Sequence, residues 1–334
     1  MNSNPRKQVL AAIFGAVQSR ALSMMAELQI AEHLSGPGLS TRQLAELTST
    51  NEAMLERLLV LLEHMGLLTI SEDGVVRNTV AGSLLHAVSE GSFANYAQLT
   101  NSEMVLHMLA YMRDSLGSGK SVFEQQNGIS FYQGLQQNPE MANVFNGAMA
   151  EISAQDTPET LSSFDPGSAN SVLDIGGGEG HLLAALLDKY PQLNAALVEL
   201  PAVAQNAAGT LEAYCEMNRC QVYANDFLLE VPCRADIVIL KRVLSHCSDN
   251  DALTLLENIR SVMTPGDRLL IIDPDTNSLY GASYNLLMVS VVGAAGVRSE
   301  QELKTLFSKT GFQYVSKQVL ETELCIVEAQ VEEA

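Results

Sequence analysis

Two acidic residues bracket a run of glycines in Asp174-Ile175-Gly176-Gly177-Gly178-Glu179-Gly180, directly after the apolar stretch Val172-Leu173. Glycine lacks Cβ, so a backbone built this way turns sharply and lets a ligand come close. A strand, a glycine turn and a helix N-terminus together make a nucleotide-sized cradle. Three further charged residues belong with it: Glu199, placed to hydrogen-bond a ribose diol in bidentate fashion, Asp226 and Lys241. Chemistry on a bound nucleotide-like cofactor is what these residue types suit.

The spacing narrows the cofactor. A dinucleotide fingerprint needs glycines at G-x-G-x-x-G. Counted from Gly176 and Gly178, the third position is His181, and the fingerprint fails. Gly176-x-Gly178-x-Gly180 preceded by Asp174 instead suits S-adenosyl-L-methionine, which has no pyrophosphate to cradle.

These residues need a scaffold, and the pattern from residue 166 onward supplies one. Strands are predicted near 171–175, 195–199, 220–224, 236–241 and 268–273, and helices near 180–190, 202–214, 249–262 and 299–309. A closing hairpin follows at about 312–320 and 323–329. Such alternation predicts a mainly parallel, Rossmann-like α/β sheet, whose ligands sit beyond the carboxyl ends of the strands. Asp174, Glu199, Asp226 and Lys241 all fall there.

The first half reads differently. Residues 8–34 carry an apolar face at helical spacing and are predicted as one long helix. Arg6 and Lys7 before Val9–Val17 imitate a signal peptide, but the periodicity runs on through Ala21, Met24, Leu28 and Ala31. Ser40 with Gln43 forms a capping box, a helix follows over 51–64, and Glu72-Asp73-Gly74 joins two short strands. This is a winged-helix-like arrangement. Its third helix offers Arg57 and His64 against Glu52, Glu56 and Glu63, too little positive charge for DNA. Packing and dimerisation are the expected uses. From 83 to 164 the chain is predicted helical, broken at Gly91, Gly117-Ser118-Gly119, Gly128 and Asn138-Pro139, with Asp165-Pro166-Gly167-Ser168 as linker. The predicted divisions are therefore a dimerisation region over 1–100, a helical cap over 101–165 and a cofactor domain over 166–334.

Composition agrees. The chain has 334 residues, 47% of them hydrophobic, and a formal net charge of -20, which repels phosphate backbones and argues against a nucleic-acid partner. Five cysteines without a C-x-x-C pair suit reduced thiols in the cytoplasm better than a disulfide framework, and no metal site is expected. No apolar run is long enough to span a membrane.

Taken together, the motifs resemble the small-molecule O-methyltransferase family of plant caffeate and bacterial phenazine and polyketide methyltransferases. The resemblance runs nearly the whole length. It rests on Leu173-Asp174-Ile175-Gly176-Gly177-Gly178, Val198-Glu199-Leu200-Pro201, Asn225-Asp226-Phe227, Leu240-Lys241-Arg242-Val243-Leu244 and Arg298-Ser299-Glu300. In the first half it rests on Ser121-Val122-Phe123-Glu124 and Ala142-Asn143-Val144-Phe145-Asn146. It implies that Gly176 and Glu199 hold the methionine and ribose portions of S-adenosylmethionine, with Asp174, Gly178 and Leu200 as further cofactor-binding residues. Asp226 and Phe227 would flank the adenine, with Lys241 along its edge. It also implies an intertwined homodimer acting on a small-molecule acceptor, in a chamber shaped by scattered side chains such as Met104, His107, Phe145, Met149, Asn285 and Met288.

One position departs from the family. After Val243-Leu244 the family carries the histidine that takes the acceptor's proton; here the order is Ser245-His246-Cys247. Asp273 matches a second family carboxylate, and Val297 replaces a third. Candidate catalytic residues are thus His246, Asp273 and Ser245. Three readings remain open: methyl transfer to an enol, acid or phenol that ionises unaided, base catalysis restored through His246, or a non-methylating reaction such as hydroxylation, decarboxylation or a pericyclic step. A non-enzymatic dimeric scaffold would not need the cofactor residues.

Overall fold

The strand pattern closes into one seven-stranded sheet, seen in a computed structural model that describes residues 4–332 apart from Glu90 and Ala294. Numbered along the chain, the small strands of the first half are β1 (Leu39–Ser40), β2 (Leu68–Ile70) and β3 (Val75–Asn78). The large sheet comprises β4 (Ser171–Ile175), β5 (Asn194–Glu199), β6 (Cys220–Ala224), β7 (Ile237–Lys241), β8 (Arg268–Pro274), β9 (Phe312–Val319) and β10 (Leu324–Val331). Their order is β6-β5-β4-β7-β8-β10-β9. β4 pairs in parallel with β5 and β7, β5 with β6 and β7 with β8, while β10 runs antiparallel to both β8 and β9.

The period of two explains the layers. Leu173 and Ile175 enter one buried cluster with Val238, Leu240, Leu255 and Phe307, and Val172 enters another with Leu183, Leu186, Leu197 and Ile239. Helices therefore cover both faces. Each fully buried leucine contributes roughly 2 kcal/mol of transfer free energy. The strand order reverses between β4 and β7, so a crevice opens at their carboxyl ends. Asp174 and Lys241 stand at that crevice.

The crossover helices are His181–Lys189, Pro201–Glu216, Asp249–Val262 and Glu300–Thr310, within two residues of prediction at each end. One more was not anticipated: Leu279–Val292. Its sequence is apolar nearly all round, so no face stands out and the helical period is lost.

The chain forms two compact units. One holds the N-terminal residues up to His107 with Glu140–Gln155; the other holds Met108–Pro139 and Asp156 onward. The segment predicted as a cap over 101–165 is shared between them.

In the first unit the helix expected over 8–34 is three helices, Pro5–Ile13, Gly15–Glu27 and Ile30–His33. The first two meet at 53° across Phe14, just before Gly15, whose helix propensity is low. The second break falls at Gln29, which takes a left-handed φ of 51°. The Ser40–Gln43 capping box forms as expected, and the helix expected over 51–64 spans Glu52–His64 with Asn51 as its N-cap. β2 and β3 make the predicted hairpin, and β1 adds a third strand, so the region is helical with a small sheet. Further on come Ala94–Thr100, Glu103–Ala110, Met112–Ser118, Val122–Asn127, Phe131–Gln137 and Pro139–Ser163, with Gly119 and Gly128 as left-handed caps. Among the described residues no single helix is long and apolar enough to cross a membrane.

Candidate active site

After Ile175 the chain turns through three left-handed glycines, with φ of 69° at Gly176, 60° at Gly178 and 80° at Gly180. The Gly176 N–H donates to the Val198 carbonyl at 2.8 Å, tying the turn to β5. Gly177 admits no side chain. A Cβ there would lie 2.3 Å from Asp174 Oδ2 and 2.8 Å from Leu197. Over Gly178 the space is open.

Glu199 ends β5 with its carboxylate fixed from two sides. Gly178 N–H donates to Oε2 at 3.0 Å and Leu200 N–H to Oε1 at 2.8 Å. Burial raises its pKa, and those two N–H groups oppose the rise. Asp174 lies beneath the turn, 1% exposed, and its Oδ1 has no hydrogen-bond partner. Burial pushes its carboxyl up to about 7, with Lys241 opposing and Glu199 reinforcing. Lys241, last residue of β7, is pushed down to about 8 by burial, and Asp156 counters through an Oδ2 at 3.9 Å. Asp226 is half-buried beyond β6 and accepts from Leu228 N–H at 2.9 Å, while Phe227 packs on the core.

These residues fit S-adenosylmethionine. A buried carboxylate oxygen without a donor awaits a cationic or N–H partner, which the cofactor's ammonium provides. The fixed Glu199 carboxylate suits a diol, and the open face of Gly178 leaves room for the chain between. Among the described residues no group of three or more His, Cys, Asp or Glu side chains is placed to hold a metal.

Beyond β7 the backbone takes a left-handed turn at Arg242 (φ 57°) and a single 3₁₀ turn over Leu244–His246. That turn sends Ser245 and His246 to different partners. The Ser245 hydroxyl, 1% exposed, donates to Asp273 Oδ1 at 2.8 Å. Asp273 is pushed up to about 6 by burial, against the hydrogen bond from Ser245. The pair lines a small cavity with Ile271, Leu303, Arg298 and Cys325. Arg298 braces the 3₁₀ turn by donating to the carbonyls of Leu244 and Cys247 at 2.5 and 2.9 Å.

His246 instead lies between two tyrosines. Its Nδ1 meets the Tyr132 hydroxyl, and its Nε2 meets the Tyr284 hydroxyl at 3.1 Å. Burial, then the Arg242 cation, push its pKa down to about 4. Burial raises both phenols, Tyr284 to about 12. Arg242 is held by Asp156 at 2.9 Å and Tyr280 at 3.2 Å, and its guanidinium carbon stands 5.5 Å from the Tyr284 ring centroid. Tyr132, His246 and Tyr284 are half-buried.

Sequence reasoning brought forward Ser245, His246 and Asp273 but missed Asp156, Tyr132, Tyr280 and Tyr284. The two last stand at i and i+4 on the unanticipated helix, a spacing that would have paired them had that helix been recognised. Of the residues expected to shape a chamber, Met104, His107, Phe145 and Met149 belong to the first unit, Asn285 and Met288 to the second. Met288 is 5% exposed, and Asn285 Oδ1 accepts from Val297 N–H at 2.9 Å.

The family model described as the O-methyltransferase domain matches residues 108–313, and the one described as the O-methyltransferase dimerisation domain matches residues 10–87. The chain is 32% identical to a mitomycin biosynthesis 6-O-methyltransferase of Streptomyces lavendulae, over 90% of this chain and 86% of that protein. It is 30% identical to the aclacinomycin 10-hydroxylase RdmB of Streptomyces purpurascens, over 90% of this chain and 83% of the relative. Among solved structures, that of CalO1, a methyltransferase in calicheamicin biosynthesis with SAH bound, superposes with a TM-score of 0.86 at 25% identity, covering 99% of this chain and 100% of that one.

Proposed function

Because this chain belongs to the O-methyltransferase family, we propose that it transfers the methyl group of S-adenosyl-L-methionine to a hydroxyl, enol or acid oxygen of a small secondary metabolite. The observation that carries the proposal is the cradle: a glycine turn, a Glu199 carboxylate fixed by two N–H groups, and an orphaned Asp174 oxygen. When bound, the cofactor supplies an electrophilic methyl on a sulfonium.

The chain's own residues do the rest. Gly176, Gly178, Asp174, Glu199 and Leu200 hold the methionine and ribose portions, Asp226 and Phe227 flank the adenine, and Lys241 lies at its edge. Asn285 and Met288 are proposed to line the acceptor. Ser245 takes no proton, because a serine hydroxyl is no base near neutral pH and this one already donates to Asp273. The acceptor therefore ionises on its own acidity, and the protein contributes alignment, which is worth several orders of magnitude in rate.

A second reading has specific support. The serine at the base position and the similarity to a 10-hydroxylase favour a non-methylating reaction at the same cofactor. Similarity to several O-methyltransferases outweighs it.

The protein is further proposed to work as a homodimer in the cytoplasm. The match to a dimerisation domain and the exposed Val9, Ile13, Phe14 and Val17 support the dimer. Calorimetric titration with S-adenosylmethionine, and sedimentation of the free protein, test the cofactor and the dimer together. No heat of binding, or a monomer at every concentration, would count against them.

A further inference from the structure

Tyr132, His246 and Tyr284 form a hydrogen-bonded row whose polarity follows from what stands behind it. A neutral imidazole has one N–H, so it gives one of its two hydrogen bonds and receives the other. A charged imidazole would donate from both nitrogens and set a second cation beside Arg242. Arg242 decides the direction. Its guanidinium has donors only and stays charged. Asp156 fixes it at 2.9 Å, it donates to the Tyr280 oxygen at 3.2 Å, and its guanidinium carbon stands 5.5 Å from the Tyr284 ring centroid. With that cation beside its ring, Tyr284 turns its O–H away from Arg242 and toward His246 Nε2, 3.1 Å away.

We propose that His246 is a positioning residue, held as the Nδ1–H tautomer by the line Asp156–Arg242–Tyr284, so that its N–H orients the Tyr132 hydroxyl in the acceptor cleft. It is not the base that takes the acceptor's proton. The consequence for the acceptor rests on the methyltransferase reading; the tautomer does not.

Two experiments separate the claims. Long-range proton–nitrogen spectra of full-length protein labelled with nitrogen-15 histidine report the tautomer without cofactor or acceptor, with His246 assigned by comparison with His246→Asn. The expected pattern at neutral pH is Nδ1–H, shifting toward Nε2–H in Tyr284→Phe. An Nε2–H or doubly protonated ring in the wild type would overturn the proposal. In methyl-transfer assays His246→Ala should lower kcat about tenfold, and His246→Asn, whose amide N–H lies near the place of Nδ1, should restore most of it at unchanged KM. Equal losses of about a hundredfold in both variants would make His246 a general base and defeat the proposal. A wild type that binds cofactor without forming S-adenosylhomocysteine would defeat the methyltransferase reading and leave the tautomer measurement standing.

Discussion

Ser245 and Asp273 are joined by a hydrogen bond of 2.8 Å, with the hydroxyl donating to a carboxylate that is 6% exposed. The position where the resembled family carries its base is thus engaged in satisfying a buried acid. Ser245→Ala removes the hydroxyl that donates to this carboxylate. The expected cost is about 1 kcal/mol of stability, read as a shift in the urea midpoint. Methyl transfer should fall no more than about threefold; a loss nearer a hundredfold would show that the serine takes part in the chemistry.

Adjacent glycines of the cradle should respond differently. At Gly177 an added methyl collides with Asp174 and Leu197, at 2.3 and 2.8 Å, so Gly177→Ala should abolish measurable cofactor binding. At Gly178 the space is open and only the positive φ of 60° is strained, so Gly178→Ala should cost about 1 kcal/mol and leave binding detectable. Equal loss in both variants would contradict this account of the turn.

Asp174 makes cofactor affinity depend on pH. Its carboxyl is raised from 3.8 to about 7 in the folded chain, so folding takes up a proton between those values. The free protein accordingly loses stability as pH rises through that window. A cationic cofactor binds best to the ionised form, so its affinity should rise about tenfold between pH ~6 and ~8. Asp174→Asn should flatten that profile in calorimetric titrations. A wild-type profile already flat would rule out this role for Asp174.

Much of this was legible in the sequence. The period of two, the glycine turns and the acidic strand ends placed β4 to β8 almost to the residue, and with them Asp174, Glu199 and Lys241. Neighbours along the chain set those positions. The His246 environment depends on distant segments: Tyr132 lies 114 residues away, Tyr284 lies 38, and Asp156 is 86 from Arg242. Only folding reveals such contacts. The helix Leu279–Val292 escaped because an evenly apolar segment carries no period, and the helix expected over 8–34 hid its breaks behind continuous apolar spacing. The one-residue offset of Ser245 and His246 was visible as letters, but not that a 3₁₀ turn would send them to separate partners.

Asp156 anchors two buried cations, Arg242 at 2.9 Å and Lys241 at 3.9 Å. Asp156→Asn would take the counter-charge from Arg242 and weaken that on Lys241, which Asp174 also faces, and breaking a buried pair from one side costs about 3–5 kcal/mol. Denaturant unfolding should register a loss of that order, with a lower His246 pKa in the same variant as Arg242's charge goes unbalanced. A change under about 1 kcal/mol would mean that water already screens the cluster.

The central claim is methyl transfer at this cradle. Wild-type protein incubated with methyl-labelled S-adenosylmethionine and a panel of phenols, enols and aromatic acids allows S-adenosylhomocysteine to be counted against modified acceptor. The account predicts one S-adenosylhomocysteine for each labelled, methylated product. An acceptor converted while the cofactor is recovered intact would contradict it.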